Sequence, residues 1–162
     1  MPQLEDGDIH ITEHVPICKY IARKWNPDLL GKTDLDKTKV EQLLSYLGKQ
    51  NWDFRMWTFK DSPKDDADKI ALIKGEDAKF KLIDNILSTQ QYAVGDYLTL
   101  VDIFLYENFE FIRLVHEATA NEYPNIMALR KKIDETDWVK KFKASDKFIE
   151  RPIVGWSAKW NN

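Results

Sequence analysis

The stretch Gly95-Asp96-Tyr97-Leu98-Thr99-Leu100-Val101-Asp102 decides how this 162-residue chain folds. Gly95-Asp96 is a turn signal. Thr99 and Asp102, three positions apart, have the spacing of a capping box, with aspartate where glutamate is commoner. In such a box the threonine oxygen accepts from the backbone of the third helical residue, and the carboxylate reaches back to the threonine amide. The residues that follow form the most apolar helical run in the chain, with Val101, Ile103, Phe104, Leu105, Ile112 and Val115. Periodicity alone takes the reading as far as a helical domain.

Working outward, Pro124 suits the first turn of a helix reaching Ile133, and Thr136 caps a short one through Lys143. The tail from Arg151 reads as extended and is rich in tryptophan. Upstream of the turn, Ile70, Ile73, Phe80, Ile83 and Leu87 predict one continuous helix, after a polar loop from Asp61 to Asp68. Thr33 or Asp34 caps a long helix to about Phe59, with Val40, Leu43, Leu44, Leu47, Phe54 and Trp57 on its apolar face. An earlier helix spans Val15 to Trp25, with Ile17, Tyr20, Ile21 and Trp25 as its stripe. Asn26-Pro27-Asp28 stops it, and the residues to Gly31-Lys32 form a linker. At the start, Asp6-Gly7 reads as a hairpin turn between Gln3–Glu5 and the alternating run Asp8–Thr12.

Hydrophobic residues make up 43% of the chain and aromatics 12%, enough for a true core. The formal net charge is −3, with lysines interleaved among acids, so no nucleic-acid footprint is expected. No apolar run approaches membrane-spanning length, and no membrane partner is expected. Cys18 is the single cysteine, which excludes an internal disulfide. The first ten residues are acidic and polar, unlike a secretory signal or a basic presequence. The expected location is cytoplasmic, or within an intracellular assembly, and not secreted.

Gly95–Asp102 also resembles the signature in the central helix of the C-terminal domain of glutathione S-transferases. Leu4-Glu5-Asp6-Gly7 with Ile11-Thr12 resembles the hairpin before the third helix of that family's thioredoxin-like domain. Tyr20-Ile21-Ala22-Arg23-Lys24 is similar to the end of that helix in the mu class. Tyr123-Pro124-Asn125-Ile126 and the tail Phe148-Ile149-Glu150-Arg151-Pro152 with Trp160 resemble the mu-class C-terminus. The resemblance runs in order through nearly the whole chain. It implies a mainly α fold: a helical domain of five or six helices over residues 33–162, preceded by a hairpin-and-helix remnant of a thioredoxin-like domain over residues 1–25. It also implies a missing beginning, since Met1-Pro2 matches the place where the family has its cis-proline. The family's catalytic tyrosine or serine then has no counterpart, so no catalytic residue is assigned.

The same resemblance assigns a degenerate glutathione site. Pro2 stands at the cis-proline position. Glu13 and His14 replace a Gln-Ser pair that holds the γ-glutamyl carboxylate by the serine hydroxyl and the helix N-terminal amides. Glu13 would set a negative charge beside that carboxylate. Lys49 falls where an aspartate reaches across the family dimer, and Phe59 falls at the substrate-side aromatic. Lys19 and Glu41 match residues that cross-pair between subunits, which implies a weak homodimer. The hairpin's outer strand, Gln3 to Glu5, would lack its neighbour in the family sheet, and an unpaired edge invites a protein partner. The expectation is a non-catalytic structural or interaction subunit with no cofactor. The alternative is a mu-like transferase, using glutathione, whose N-terminal half is absent from this chain.

Plainer readings stand beside these. Thr99 and Asp102 serve as a cap without chemistry. His10, His14 and His116 are too scattered for a metal site, and Glu13-His14 can be an ordinary start to a helix. Cys18 reads as a packed small residue. Arg130-Lys131-Lys132 and Lys140-Lys141-Lys143 read as solvated helix faces. Of the tryptophans, Trp52, Trp57, Trp156 and Trp160 are divided between core and interface.

Overall fold

The computed structural model describes residues 2–60 and 65–149, and for residues 49–60 the backbone only. A two-stranded antiparallel hairpin, β1 (Gln3–Asp6) and β2 (Ile9–Thr12), leads into α1 (His14–Trp25). A 3₁₀ turn at Pro27–Leu30 connects to α2 (Asp34–Lys60). Then follow α3 (Asp66–Lys74), α4 (Asp77–Leu87), α5 (Leu100–Val115), the short α6 (Glu117–Ala120), α7 (Pro124–Asp134) and α8 (Asp137–Lys143).

α5 is the axis. Leu100, Val101, Phe104, Leu105, Phe109, Ile112 and Val115 are all buried along it, and it packs on α1, α2, α6 and α7. At its start the capping box is closed. Asp102 Oδ2 accepts from the Thr99 amide at 2.7 Å and its hydroxyl at 2.8 Å, while Oδ1 accepts from the Ala93 amide at 2.7 Å. Thr99 and Asp102 have no exposed surface. Burial pushes the Asp102 carboxyl up from the usual range, against the hydrogen bonds from Ala93 and Thr99, which favour the charged form. Deeper in the core, Phe80, Phe109 and Tyr123 meet edge to face in a three-way cluster, with centroids 5.0 to 5.8 Å apart.

Several features depart from the sequence reading. The helix expected across residues 70–87 breaks at Gly75-Glu76, where Glu76 lies at φ −110° and ψ 9°. Gly75 itself stays helical, so Ile73, Phe80, Ile83 and Leu87 remain buried on both sides of the break and the apolar spacing does not reveal it. The hairpin loop is Gly7-Asp8, because Asp6 pairs with Ile9. Gly7 takes φ 62° at the first loop position, the requirement of a type II′ turn. On α1 the covered residue is Ala22, with Val15 and Cys18 packed against the core, while Ile21 and Trp25 are 40% and 65% exposed. Two four-residue strands are too narrow to cover that face as well.

At the far end of the bundle, Glu110 of α5 takes Arg113 through Nε (3.2 Å) and Nη2 (2.7 Å), and Arg130 of α7 through Nη1. Burial pushes the Glu110 carboxyl up, but Arg113 and Arg130 together hold it below its ordinary value of 4.5. A depressed folded-state value gives stability that is present above the unfolded value and lost as pH falls through the folded one. Glu110→Gln should therefore lower stability by about 1–3 kcal/mol at pH 7. The gap to the parent should shrink below about pH 4.5. Urea midpoints at neutral and acid pH measure this.

Candidate functional site

The start of α1 is where sequence reasoning gathers its ligand positions, and the backbone there is unusual. Glu13 lies at φ 70° and ψ 133°, the one positive φ outside glycine among the described residues. A side chain in this region is strained by about 1–3 kcal/mol and persists only where neighbours enforce it. The enforcement is visible. β2 ends at Thr12 and α1 begins at His14, so Glu13 alone joins them, while α1 packs on α5 and the Glu13 carbonyl accepts the first helical bond from the Ile17 amide at 3.1 Å.

Glu13 makes no side-chain cap to the helix. The amides of His14 and Val15 thus stand at a positive helix end without a side-chain acceptor from the capping position. His14 does not supply the short hydroxyl of a serine. Its ring stacks on Phe104 of α5, centroids 5.8 Å apart and 26° between planes. Pro2 is exposed just before β1. Lys49 and Phe59 lie on α2 in the stretch whose side chains fall outside the described residues, as do Trp52 and Trp57; Trp156 and Trp160 fall outside entirely. The structure therefore brings Glu13 and His14 together at one helix start.

Lys19 and Glu41 meet within the chain. Lys19 Nζ donates to Glu41 Oε1 at 3.0 Å within the chain, joining α1 to α2, and this bond holds the Glu41 carboxyl below its ordinary range. A groove of about 670 Å³ runs between α2 and α4, lined by Leu43, Tyr46, Leu82, Ile86, Gln90 and Ala93 among others. Of the residues singled out from sequence only Leu43, an apolar-face residue of α2, lines it, and none of the candidate ligand positions does. Among the described residues, no group of three or more His, Cys, Asp or Glu side chains could hold a metal ion. No described helix is long and apolar enough to cross a membrane.

Two polar anchors were not legible as such. Asp84 of α4 caps α7 from outside: Oδ1 accepts from the Asn125 and Ile126 amides at 2.8 and 2.9 Å, and Oδ2 from Asn125 Nδ2 at 2.8 Å. The Tyr97 hydroxyl accepts from the Lys32 amide and donates to Asp36 Oδ2, both at 2.9 Å, fastening the α1–α2 linker to the turn before α5. Each pairs residues about 40 to 65 positions apart, and only the tertiary fold creates it.

The family model for the glutathione S-transferase C-terminal domain matches residues 52–146, more than half of the chain. The chain belongs to the glutathione S-transferase family. Relatives cover it end to end. Glutathione S-transferase 2 of Gallus gallus is 27% identical over 162 residues, 100% of this chain and 72% of its own length. Glutathione S-transferase Mu 5 of Mus musculus is 28% identical over 164 residues, covering 100% of this chain and 70% of its own. Among solved structures, the glutathione S-transferase Blo t 8 superposes with TM-score 0.85 at 20% identity, over 100% of this chain and 76% of that one. The fold is thus that of a glutathione S-transferase: mainly helical, with a hairpin ahead of the helices. In this glutathione S-transferase-like chain the capping box at Thr99 and Asp102 is buried structure, and the strained turn at Glu13 is the feature that needs a functional account.

Proposed function

We propose that this glutathione S-transferase-like chain is a non-catalytic structural or interaction subunit of a larger intracellular assembly, and that it uses neither glutathione nor another cofactor. The observation that carries this reading is the start of α1. The position that would offer a hydroxyl to an anionic ligand holds an imidazole stacked on Phe104, and the residue before it brings a carboxylate. An anion at a helix N-terminus gains from the amides and the dipole, but a carboxylate one residue away opposes it. Lys49, in place of an aspartate, acts in the same direction.

The interaction side of the proposal rests on exposed apolar surface. Ile9, Ile21 and Trp25 are 43%, 40% and 65% exposed on the hairpin and α1, beside a β1 strand paired on one edge only. A partner that adds a strand along Gln3–Glu5 would satisfy that edge and cover those side chains. Self-association is expected to be weak, because Lys19 and Glu41 already satisfy each other within one chain.

One observation favours the second reading, a mu-like transferase conjugating glutathione to electrophiles. The amides at the start of α1 receive no side-chain cap from Glu13, which leaves them for an anion. The native protein, assayed with glutathione and a chromogenic aryl halide, separates the two. Turnover with kcat near the enzyme median of about 10 per second would sink the non-catalytic reading. A rate indistinguishable from the uncatalysed reaction is expected.

A further inference from the structure

β1 has one neighbour and one open edge. The two-residue loop makes Asp6 and Ile9 a hydrogen-bonded pair, and bonded pairs alternate along an antiparallel ladder. Leu4 and Asp6 therefore turn their N–H and C=O groups to β2. Gln3 and Glu5 turn theirs outward, where no strand lies among the described residues. The two faces of the hairpin also differ. Leu4 and Ile11 are half-buried on the side of α1, where the Tyr20 hydroxyl donates to Asp6 Oδ2 at 2.7 Å and Lys24 pairs with the same oxygen. Gln3, Glu5, His10 and Thr12 stand exposed on the other side. A strand added at this edge would alternate in the same way, one side chain toward α1 and the next into water.

The charge around the edge has one sign. Residues 1–13 hold Glu5, Asp6, Asp8 and Glu13 and no lysine or arginine. The cations of α1 are engaged elsewhere: Lys24 takes Asp6, Lys19 donates to Glu41, and Arg23 also acts on Glu41. Glu5 is 65% exposed, with Gln3 Nε2 at 2.9 Å and His10 no nearer than 3.8 Å. Among the described residues no lysine or arginine pairs with Glu5, Asp8 or Glu13.

We propose that the open edge of β1 pairs with a basic strand of a partner protein, in which lysine or arginine alternates with apolar residues. The backbone of Gln3 and Glu5 selects an extended segment, because a strand offers N–H and C=O groups at their spacing. The charge then selects among strands. In antiparallel register, basic side chains opposite Gln3 and Glu5 fall on the exposed face beside the Glu5 carboxylate. The apolar residue opposite Leu4 falls over α1. A second copy of the chain is disfavoured, because β1 against β1 sets two acidic hairpins side by side. A nucleic acid or an anionic bilayer is repelled by the same carboxylates. The proposal rests on the interaction reading of this edge and adds the partner's charge and its alternation.

The test uses the full chain, isotope-labelled, and an end-blocked synthetic peptide of alternating lysine and valine. Hydrogen exchange at single amides is followed by NMR. Saturable binding is expected, weakened by added salt and accompanied by slower exchange at the Gln3 and Glu5 amides. Threonine in place of lysine should weaken binding by about tenfold. Glutamate in place of lysine should abolish it. N-methylation of the lysine nitrogens removes the donors that would point at β1 and should abolish it too. Glu5→Lys with Asp8→Lys should erase the advantage of lysine over threonine. Both residues are exposed, so an unchanged thermal midpoint shows that the variant folds. Equal binding of the lysine and threonine peptides overturns the proposal and leaves the edge to a strand of another kind. Undiminished binding of the N-methylated peptide overturns it as well, since charge alone would then hold the peptide. No binding by any peptide overturns both the proposal and the strand reading of the edge, and the glutathione assay stands apart from each of these results.

Discussion

Asp102→Ala is expected to destabilise the chain by about 3–5 kcal/mol, the range for stripping one side of a buried, hydrogen-bonded charged group. The carboxylate satisfies three donors from two segments: the Thr99 amide and hydroxyl at the start of α5, and the Ala93 amide in the preceding turn. Alanine leaves all three buried without an acceptor and removes the tie between the turn and the central helix. With total stability near 5–15 kcal/mol, this takes away about a fifth or more. Asp102→Asn keeps the shape but aims an NH₂ group at donors that need an acceptor, so it should fall between. Urea denaturation followed by circular dichroism measures both, and a loss below about 1 kcal/mol for Asp102→Ala would show that the cap is peripheral.

Gly31→Ala is the second large effect. Gly31 sits at φ 108° where the linker turns into α2. An added Cβ would lie 2.5 Å from the Lys37 amide nitrogen, 2.7 Å from the Asp36 carbonyl carbon and 2.9 Å from the Lys37 Cα. All three are backbone atoms of the first turn of α2, so no side chain can move aside. Positive φ and overpacking combine to about 3 kcal/mol or more, together with loosening of the Tyr97 bonds to Lys32 and Asp36. Gly95→Ala is the control. Gly95 is also at positive φ, 84°, but a Cβ there meets nothing within 4 Å, and the expected loss is about 1 kcal/mol. Equal losses at the two glycines, in paired denaturation curves, would contradict the steric account.

How far the sequence reveals the molecule can be judged from these same residues. The capping spacing at Thr99 and Asp102 and the apolar run behind it are local signals, and they locate the central helix. The boundaries of α1, α2, α7 and α8 follow from caps and periodicity in the same way. The break at Gly75-Glu76 does not, because a kink through near-helical residues keeps Ile73 and Phe80 on one face. The exposure of Ile21 and Trp25 does not either: an apolar stripe says that a face can be buried, not whether enough structure lies opposite to bury it. The resemblance points to the start of α1, but nothing local announces that Glu13 holds a strained backbone. The Asp84 cap on α7 and the Tyr97 clasp depend on chain segments that meet only in the folded state.

Whether the α1 start holds glutathione is tested most directly by calorimetric titration of the native protein with reduced glutathione. The expected result is no saturable heat up to several millimolar, an affinity weaker than about −4 kcal/mol. Saturable binding with Kd in the range of about 10–100 μM, or about −5.5 to −7 kcal/mol, weakened further when Glu13 is replaced by alanine, would contradict it.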